Sequence, residues 1–294
     1  MKPLLTVGYA DLDCSNEDLF VQILSKYFRI EFTQDNPDIL LCSIFGNSRY
    51  SIRAKKKLLW IGENVRPHLN DFEYVIGYDY IQDSRYLRFP LWKYYLHLDN
   101  RRHYIDELVN KDTTIKKRPN FMSFTVSSPN GLVRNNFFNY ANNYKQVDSF
   151  GKLFNNKPDI VRYREDSYTW QKRKLEYFRN NPYKFSMCFE NSKHSGYTTE
   201  KLIDAMLCNT IPIYYGDPSV YNDFNVDSFV NCDFKDQNDL SGFNDILSYI
   251  KRLDTDDDLY ESVYSKQWLT DEQKTKIYTN DLEEFILDIV NDKI

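Results

Sequence analysis

Short apolar runs and amphipathic segments alternate along the first third of the chain. Leu4–Tyr9, Ile39–Phe45, Leu58–Gly62 and Val75–Tyr78 have the composition of buried strands, and runs that are apolar throughout are typical of parallel sheets. Residues 16–28 carry large apolar side chains at helical spacing. Because strands and helices alternate, we expect an α/β domain with a parallel sheet at the amino terminus.

The second half of the chain shows the same alternation. Phe121–Ser127 predicts a strand, a helix is expected to open near Arg134 and run to Tyr144, and Phe185–Phe189 and Ile211–Tyr215 predict two buried strands. Between the last two strands, apolar side chains four residues apart define one face of a helix, so a βαβ unit is expected. Further helices are predicted at 168–181, 240–253 and 282–290, and a strand at 228–232.

A polar run, Asn110–Pro119, separates the two α/β patterns. Its composition is that of a linker, and 294 residues are enough for two domains with separate cores. We therefore predict a first domain over residues 1–115, a second over 116–275, and a carboxyl-terminal helix at 276–294 that packs back on the first domain. The packing of this helix rests on fold-level analogy.

Charge and composition exclude several classes of protein. A net charge of −5 does not support a broad basic surface, so no nucleic-acid partner is expected and an anionic ligand would have to be held by a few placed cations. The odd number of scattered cysteines predicts reduced core residues, and neither they nor the histidines show the spacing of a metal site. These residues are Cys14, Cys42, Cys188, Cys208 and Cys232, and His68, His97, His103 and His194.

The amino terminus lacks the pattern of a targeting segment. Its apolar run is too short for a signal peptide or a membrane span, and Asp11 and Asp13 follow directly. No later segment holds eighteen consecutive apolar residues either. We therefore expect a soluble, cytoplasmic protein.

Polar side chains gather where the predicted strand Phe185–Phe189 meets the following helix. In βαβ units ligands bind at this end, where the helix offers unpaired N–H groups. Gly196 would allow close approach of the backbone, Lys201 can neutralise a phosphate, and Glu200 can accept hydrogen bonds from sugar or ribose hydroxyls. The alternative is a βαβ crossover whose polar loop binds no ligand, which would show the same hydrophobic periodicity. The polar residues are Asn191, Ser192, Gly196, Tyr197, Glu200 and Lys201.

Two charged side chains outside this loop are candidates for chemistry. Glu63 follows the predicted strand Leu58–Gly62, where it suits either a catalytic base that takes a proton from a hydroxyl group or a glutamate that caps the next segment. Arg134 lies in the first turn of its predicted helix and opposes the helix dipole unless an anion such as a diphosphate binds there. A solvent-exposed arginine at the helix start is the alternative.

Two other features have less specific patterns. The aromatic run around Trp92 suits either an acceptor-facing surface or packing between domains, and contiguous aromatic residues more often pack. Asp254–Asp258 contains a D-x-D string, which in other enzymes binds manganese through a diphosphate. Because the string lies between two predicted helices and far from the polar loop, we expect a solvated acidic loop without a metal ion.

Three stretches in the second half of the chain resemble a known family. Phe189-Glu-Asn-Ser, Gly196-Tyr-x-Thr-Glu-Lys and Ile211-Pro-Ile-Tyr-x-Gly are similar to the donor-binding motif of the α-1,3/1,4-fucosyltransferases, which use GDP-fucose. The resemblance extends over roughly residues 60 to 235. Its shorter matches are residues 62–64 (Gly-Glu-Asn), 74–79 and 85–90, and the Ser-x-Pro loop before Arg134.

This resemblance implies a GT-B-like α/β fold of two Rossmann-like domains with parallel sheets that face a cleft. It implies an inverting transfer of L-fucose from GDP-β-L-fucose to N-acetylglucosamine or glucose in a glycan such as N-acetyllactosamine, through an α-1,3 or α-1,4 linkage. Glu63 would be the general base in an acceptor-binding first domain. Catalytic roles would also fall to Arg134, Glu200 and Lys201, and the donor contacts would be Arg134, Asn191, Ser192, Tyr197, Glu200 and Lys201.

The resemblance also bears on cofactors and partners. Arg134 and Lys201 would supply the positive charge on the diphosphate, so no cofactor is required and a divalent metal would at most be stimulatory. Glycolipid acceptors would be reached by peripheral membrane association. No heptad-repeat tail is present, so a coiled-coil oligomer is not expected.

The chain departs from the family pattern at two positions of the donor stretch. Thr198 stands where valine is common, and Tyr215 stands where tryptophan is common. Beside the function that the resemblance implies, two other functions remain open. They are transfer from a different nucleotide sugar, for example GDP-mannose, and binding of a sugar nucleotide or glycan without catalysis.

Overall fold

The structure, which is a computed structural model, divides into two units. It describes residues 2–12, 18–66, 69–98, 101–158 and 167–294. Within the last of these ranges, side chains are described from residue 173 onward. Asp13, Cys14 and His68, which entered the sequence predictions, lie outside the described residues. One unit comprises Met1–Arg102 with Ile277–Ile294, and the other comprises His103–Lys276.

The first unit is built on a six-stranded parallel sheet. Its strands occur in the order β2-β1-β3-β4-β5-β6, and each strand runs parallel to its neighbours. The carboxyl ends of all six strands therefore meet at one edge of the sheet. The strands are β1 (Leu4–Ala10), β2 (Arg29–Phe32), β3 (Ile39–Ser43), β4 (Lys57–Trp60), β5 (Tyr74–Gly77) and β6 (Tyr86–Arg88).

The first and last helices cover this sheet with apolar faces. The first begins at Leu19, the first of its periodic apolar positions, because the Asp18 carboxylate accepts a hydrogen bond from the backbone N–H of Phe20 at 2.8 Å and caps the helix there. Leu24 of this helix and Ile286 of the last helix are fully buried in the same core as Val7 of the sheet. The helices of this unit are α1 (Leu19–Tyr27), α2 (Ser48–Ser51), α3 (Leu91–His97) and α11 (Asp281–Val290).

The second unit holds a five-stranded parallel sheet. The strand order is β11-β10-β9-β7-β8. Its strands are β7 (Asn120–Phe124), β8 (Val147–Ser149), β9 (Tyr183–Phe189), β10 (Ile211–Tyr215) and β11 (Val230–Asn231). Its helices are α4 (Ile105–Val109), α5 (Leu132–Asn142), α6 (Ser167–Asn180), α7 (Glu200–Leu207), α8 (Leu240–Thr255), α9 (Asp257–Tyr264) and α10 (Asp271–Thr275).

Aromatic rings dominate the core of the second unit. The ring of Phe137 in α5 stacks on Phe189 at the end of β9 with centroids 5.2 Å apart, and Phe234 and Phe243 pack against it. These contacts fix the amino-terminal turns of α5 against the carboxyl end of β9. The many Phe and Tyr residues of this region therefore serve the core.

The break between the units falls at residues 102–103, whereas the linker composition indicated residues 115–116. Lys111, inside the predicted linker, is buried in the second unit. Its ammonium group donates hydrogen bonds to the carbonyl groups of Tyr264 and Lys266 and lies 3.3 Å from the ring centroid of Trp268. A polar composition does not reveal such contacts with residues 153 and 155 positions away, because they depend on the tertiary fold.

The loop expected at Asp254–Asp258 is wrong because helices occupy this stretch, although Asp256, Asp257 and Asp258 are exposed to solvent as expected. Asp254 lies within α8, where its buried carboxylate pairs with Lys145 at 3.0 Å and Lys184 at 3.3 Å. The Asp256 carboxylate caps α9 by accepting a hydrogen bond from the N–H of Leu259 at 3.0 Å. Asp254 and Asp256 thus have structural partners.

The cysteines, the possible metal ligands and the helices of the described residues relate to three of the sequence expectations. Cys42, Cys188, Cys208 and Cys232 are unpaired and buried, as reduced core residues would be. Within the described ranges, no three His, Cys, Asp or Glu side chains come together as a metal site would require. In that same part of the chain, no helix is long and apolar enough to cross a lipid bilayer.

Candidate functional site

A buried carboxylate, Glu190, stands directly after β9 at the carboxyl edge of the second sheet. It is 1% exposed and accepts hydrogen bonds from the backbone N–H of Thr199 at 2.8 Å, from the Thr199 hydroxyl at 2.9 Å and from the Lys201 ammonium at 2.9 Å. A Cβ atom at Gly216, after β10, would lie 2.5 Å from Glu190 Cγ, so only glycine fits there. Glu190 therefore joins β9, β10 and the start of α7.

The Lys201 ammonium group is held in its charged form at this position. Burial alone would lower its pKa, but the carboxylates of Glu190 and Glu200 outweigh burial and raise the pKa above its usual range. Its Nζ lies 2.9 Å from Glu190 Oε2, 3.8 Å from Glu200 Oε1 and 2.8 Å from the hydroxyl oxygen of Thr199. A cation is thus fixed at the amino terminus of α7.

The loop between β9 and α7 is shaped by a second buried carboxylate, Asp217. Its Oδ1 accepts hydrogen bonds from the backbone N–H of Gly196 at 2.8 Å and of Ser219 at 2.7 Å. Its Oδ2 accepts one from the Thr198 hydroxyl, which also lies 3.0 Å from Tyr214 Oη. Gly196 has φ of +84°, a left-handed conformation that favours glycine. Side chains at the end of β10 and directly after it therefore hold this loop in place.

Arg134 lies in the first turn of α5 and is 2% exposed. Gly131, with φ of +105°, precedes the helix and turns the chain into it. One guanidinium nitrogen of Arg134, Nη2, donates hydrogen bonds to the carbonyl groups of Ser128, at 3.0 Å, and Asn130. The Nε–H is buried and has no hydrogen-bond partner in the described part of the chain. Because buried donors are normally paired, this N–H group is a candidate to bind a ligand.

The guanidinium group of Arg134 lies next to the residues that follow β9. A Cβ atom at Gly131 would meet both Arg134 Cζ and the carbonyl oxygen of Asn191 at 3.2 Å, so these two groups approach the same point. Burial lowers the pKa of Arg134, while the nearby Glu190 carboxylate opposes this effect. Arginine stays charged in proteins, so a second cation lies beside the loop that precedes α7.

The other predicted donor residues lie in the same loop. Asn191 is exposed, and its Oδ1 accepts a hydrogen bond from the Ser192 hydroxyl at 2.9 Å. Tyr197 is buried, and Glu200 is partly exposed in the first turn of α7. The structure therefore places all six predicted donor residues at the carboxyl edge of the second sheet, around Glu190.

The candidate base Glu63 is exposed after β4, at the carboxyl edge of the first sheet. Its carbonyl oxygen accepts a hydrogen bond from the Tyr78 hydroxyl at 3.1 Å. Arg66 donates hydrogen bonds to Tyr78 Oη at 2.7 Å, to Asp79 Oδ1 at 2.5 Å and to the Asn64 side chain. These bonds tie the loop that carries Glu63 to the loop after β5.

Trp92, the other predicted acceptor contact, belongs to α3 and is 3% exposed. Because its indole ring is not accessible, the structure offers no reason to assign it an acceptor contact. Of the two interpretations of this aromatic run, packing is the one that burial favours.

Sequence reasoning missed the residues that support the charged side chains. Glu190, Asp217 and Arg66 received no role, although each follows a strand at the carboxyl edge of its sheet. The signal for Glu190 was present, since a carboxylate directly after an apolar strand needs partners when it is buried. For Asp217 and Arg66, no local pattern separates a buried or bridging side chain from an exposed one.

Two parallel sheets in separate units are the architecture of GT-B-like glycosyltransferases, and this predicted fold is confirmed. Residues 7–95 match the model of the alpha-(1,3)-fucosyltransferase FucT N-terminal domain, and residues 115–288 match that of the glycosyltransferase family 10 (fucosyltransferase) C-terminal region. The chain belongs to glycosyltransferase family 10, the fucosyltransferases. The family indicated by the motifs is therefore confirmed.

Individual relatives agree with this assignment. The chain is similar to the alpha-(1,3)-fucosyltransferase FucT of Helicobacter pylori, with 34% identity over 88% of this chain and 58% of that protein. It is also similar to the putative fucosyltransferase R654 of Acanthamoeba polyphaga mimivirus, with 37% identity over 44% of this chain and 21% of that protein. The chain thus spans little more than half of the first relative and about a fifth of the second.

A solved structure covers the whole chain. The crystal structure of an alpha-1,3-fucosyltransferase with GDP-fucose superposes with a TM-score of 0.72 and 28% identity, over 100% of this chain and 92% of that one. The similarity therefore includes both units.

Proposed function

We propose that this protein transfers L-fucose from GDP-β-L-fucose to a hydroxyl group of N-acetylglucosamine or glucose in a glycan. The product would carry an α-1,3 linkage, with α-1,4 as the alternative. The observation that carries the proposal is the buried Arg134, whose Nε–H has no hydrogen-bond partner among the described residues and whose guanidinium group lies beside the loop that leads to Lys201. This arrangement in a member of the fucosyltransferase family suits the diphosphate of a nucleotide sugar.

The donor would bind at the carboxyl edge of the second sheet. Arg134 and Lys201 supply two positive charges for the diphosphate, and the amino terminus of α7 adds its dipole. The side chains of Asn191, Ser192 and Tyr197 would position the nucleotide and the fucose. Fixed cations of this kind stabilise the charge that grows on a leaving diphosphate, and removing one should reduce the rate by about 10²–10³.

The reaction would be a single displacement with inversion. The acceptor hydroxyl oxygen attacks the anomeric carbon of fucose and forms the new glycosidic bond, while the bond from that carbon to the phosphate oxygen breaks and GDP leaves with the electron pair. Glu63 would take the hydroxyl proton as general base. The Glu200 carboxylate would stabilise positive charge on the sugar ring as the bond breaks.

The two units would have separate substrates in this reaction. The unit that contains Glu63 would bind the acceptor, for example N-acetyllactosamine, and the unit that contains Arg134 would bind GDP-fucose. Arg134 and Lys201 suit a reaction that needs no cofactor, with a divalent metal at most stimulatory. A cytoplasmic location, and peripheral membrane association to reach glycolipid acceptors, are part of this proposal.

A product-linkage assay tests the proposal. The purified protein is incubated with GDP-fucose and a panel of type 1, type 2 and Lewis-precursor acceptors, with and without EDTA, and the product is analysed by NMR. We expect an α-linked fucosyl product that persists with EDTA. Transfer from GDP-mannose in preference to GDP-fucose would point to a different nucleotide sugar, and GDP binding without any turnover would point to an inactive sugar-nucleotide-binding protein.

A further inference from the structure

Three neighbouring loops at the carboxyl edge of the first sheet each expose a large apolar side chain. Phe45 is 60% exposed, Val65 is 45% exposed and Tyr80 is 48% exposed. Most other large apolar residues of this unit are buried in its core, so exposure at three neighbouring loops calls for an explanation. We propose that Phe45, Val65 and Tyr80 form the surface on which the acceptor sugar packs, an inference that rests on the proposed function.

The placement of these side chains follows from the sheet. Phe45 comes two residues after β3, Val65 comes five residues after β4 and Tyr80 comes three residues after β5. The strands β3, β4 and β5 are consecutive and parallel in the sheet, so the three loops leave the same edge side by side. With neighbouring strands about 4.8 Å apart, the loops span about 10 Å, the length scale of a disaccharide.

Polar groups flank this surface on the same edge. Glu63, the candidate base, lies two residues before Val65 on the same loop. The Asn64 and Arg66 side chains beside it are joined by a hydrogen bond and linked to the β5 loop through Tyr78. A surface of apolar side chains beside polar groups suits a pyranose ring, which has C–H groups on its faces and hydroxyl groups around its rim.

Arg88 contacts both the ring and the hydroxyl group of Tyr80. The guanidinium carbon of Arg88 lies 4.2 Å from the centroid of the Tyr80 ring, and Arg88 Nη2 donates a hydrogen bond to Tyr80 Oη at 3.0 Å. A ring held by a cation in this way loses little conformational entropy when a ligand packs on it. Tyr80 therefore offers an aromatic surface whose motion Arg88 restricts. We expect the sugar next to the reacting hydroxyl group to pack on this ring.

Kinetic variants test this surface. In Phe45→Ala and Tyr80→Ala, the KM for N-acetyllactosamine should rise about fivefold to tenfold, because each loses one apolar contact with the sugar. The KM for GDP-fucose and the affinity for GDP should not change. Tyr80→Phe keeps the ring and should restore most of the acceptor affinity.

Leu4→Ala is the matched control. Leu4 is also exposed, but it lies at the start of β1, on the opposite edge of the same sheet. It should leave both KM values unchanged. An unchanged acceptor KM in Phe45→Ala and Tyr80→Ala, or an equal rise in the KM for GDP-fucose, overturns the assignment of this surface.

Saturation-transfer NMR separates this inference from the proposed reaction. Wild-type protein without GDP-fucose should transfer saturation to the C–H protons of N-acetyllactosamine, and Phe45→Ala should lose most of that signal. A protein that binds the sugar but transfers no fucose would refute the fucosyltransferase proposal while keeping the surface. A wild-type protein that shows no saturation transfer would refute the surface, even if fucosyl transfer is observed.

Discussion

The Nζ atom of Lys201 lies 2.9 Å from Oε2 of Glu190, a carboxylate that is almost fully buried after β9. The same carboxylate accepts two hydrogen bonds from Thr199, directly before α7. One buried side chain thus sets both the position of a cation and the start of the helix that carries it. Charged side chains in a partly buried site keep their positions only when hydrogen-bond or ion-pair partners of this kind are present.

Replacing Glu190 with glutamine should destabilise the protein and weaken GDP binding. The amide keeps an acceptor for Thr199 but removes the negative charge that faces Lys201, which is partly exposed. We expect the free energy of unfolding to fall by about 1–3 kcal/mol. Urea denaturation and calorimetry with GDP measure the two effects.

Glu261→Gln is the control for this variant. Glu261 is an exposed carboxylate of α9 in the same unit, so its neutralisation should change neither quantity measurably. Equal stability of Glu190→Gln and wild type would show that the buried pair with Lys201 does not support the site.

Arg134→Ala should reduce the affinity for GDP roughly tenfold to hundredfold, since a buried charge-assisted hydrogen bond to the diphosphate would be lost. Arg134→Lys keeps the charge but not the planar donor group, so we expect an intermediate affinity. Isothermal titration calorimetry gives both dissociation constants. Arg252→Ala, at an exposed arginine of α8, should bind GDP as the wild type does. Wild-type affinity in Arg134→Ala would remove this residue from the donor site.

Glu63→Gln should lower kcat by about 10²–10⁴, because the amide cannot take the hydroxyl proton. GDP binding should be unchanged, since Glu63 follows β4 in the unit proposed to bind the acceptor. Initial rates of fucose transfer and calorimetry test the two statements. Glu31→Gln, at an exposed carboxylate of β2, is the matched control. Near-normal turnover in Glu63→Gln would exclude this residue as the base.

His97 should make the first unit sensitive to acid. Burial, with the nearby charges of Lys93 and Arg102, lowers the pKa of His97 to about 4. An unfolded chain binds the proton near pH 6.5, so the stabilising contribution of neutral His97 is present above pH 6.5 and is lost as the pH falls towards 4.

The loss should amount to at most about 3 kcal/mol and is measured by urea denaturation at several pH values. The variant His97→Asn has no ionisable group at this position, so its stability should fall less steeply between pH 6.5 and pH 4. Parallel stability curves for the two proteins would contradict the lowered pKa of His97.

Local patterns predicted much of the fold. The bounds of β10, Ile211–Tyr215, agree with the prediction, and β9 begins two residues earlier than its apolar run. These predictions succeed because a buried parallel strand must be apolar on both faces. The charged positions of the candidate donor site were also predictable, because carboxyl ends of parallel strands meet at one edge.

The sequence by itself determined that the chain forms two α/β patterns, that polar residues follow β9, and that its motifs are those of fucosyltransferases. Only the tertiary structure decided that Glu190 is the buried partner of Lys201, that the carboxylate of Asp254 is buried, and that Lys111 belongs to the second unit. The reason is physical. Burial and hydrogen-bond partners depend on residues far away in the chain, whereas hydrophobic periodicity records only which face of an element is buried.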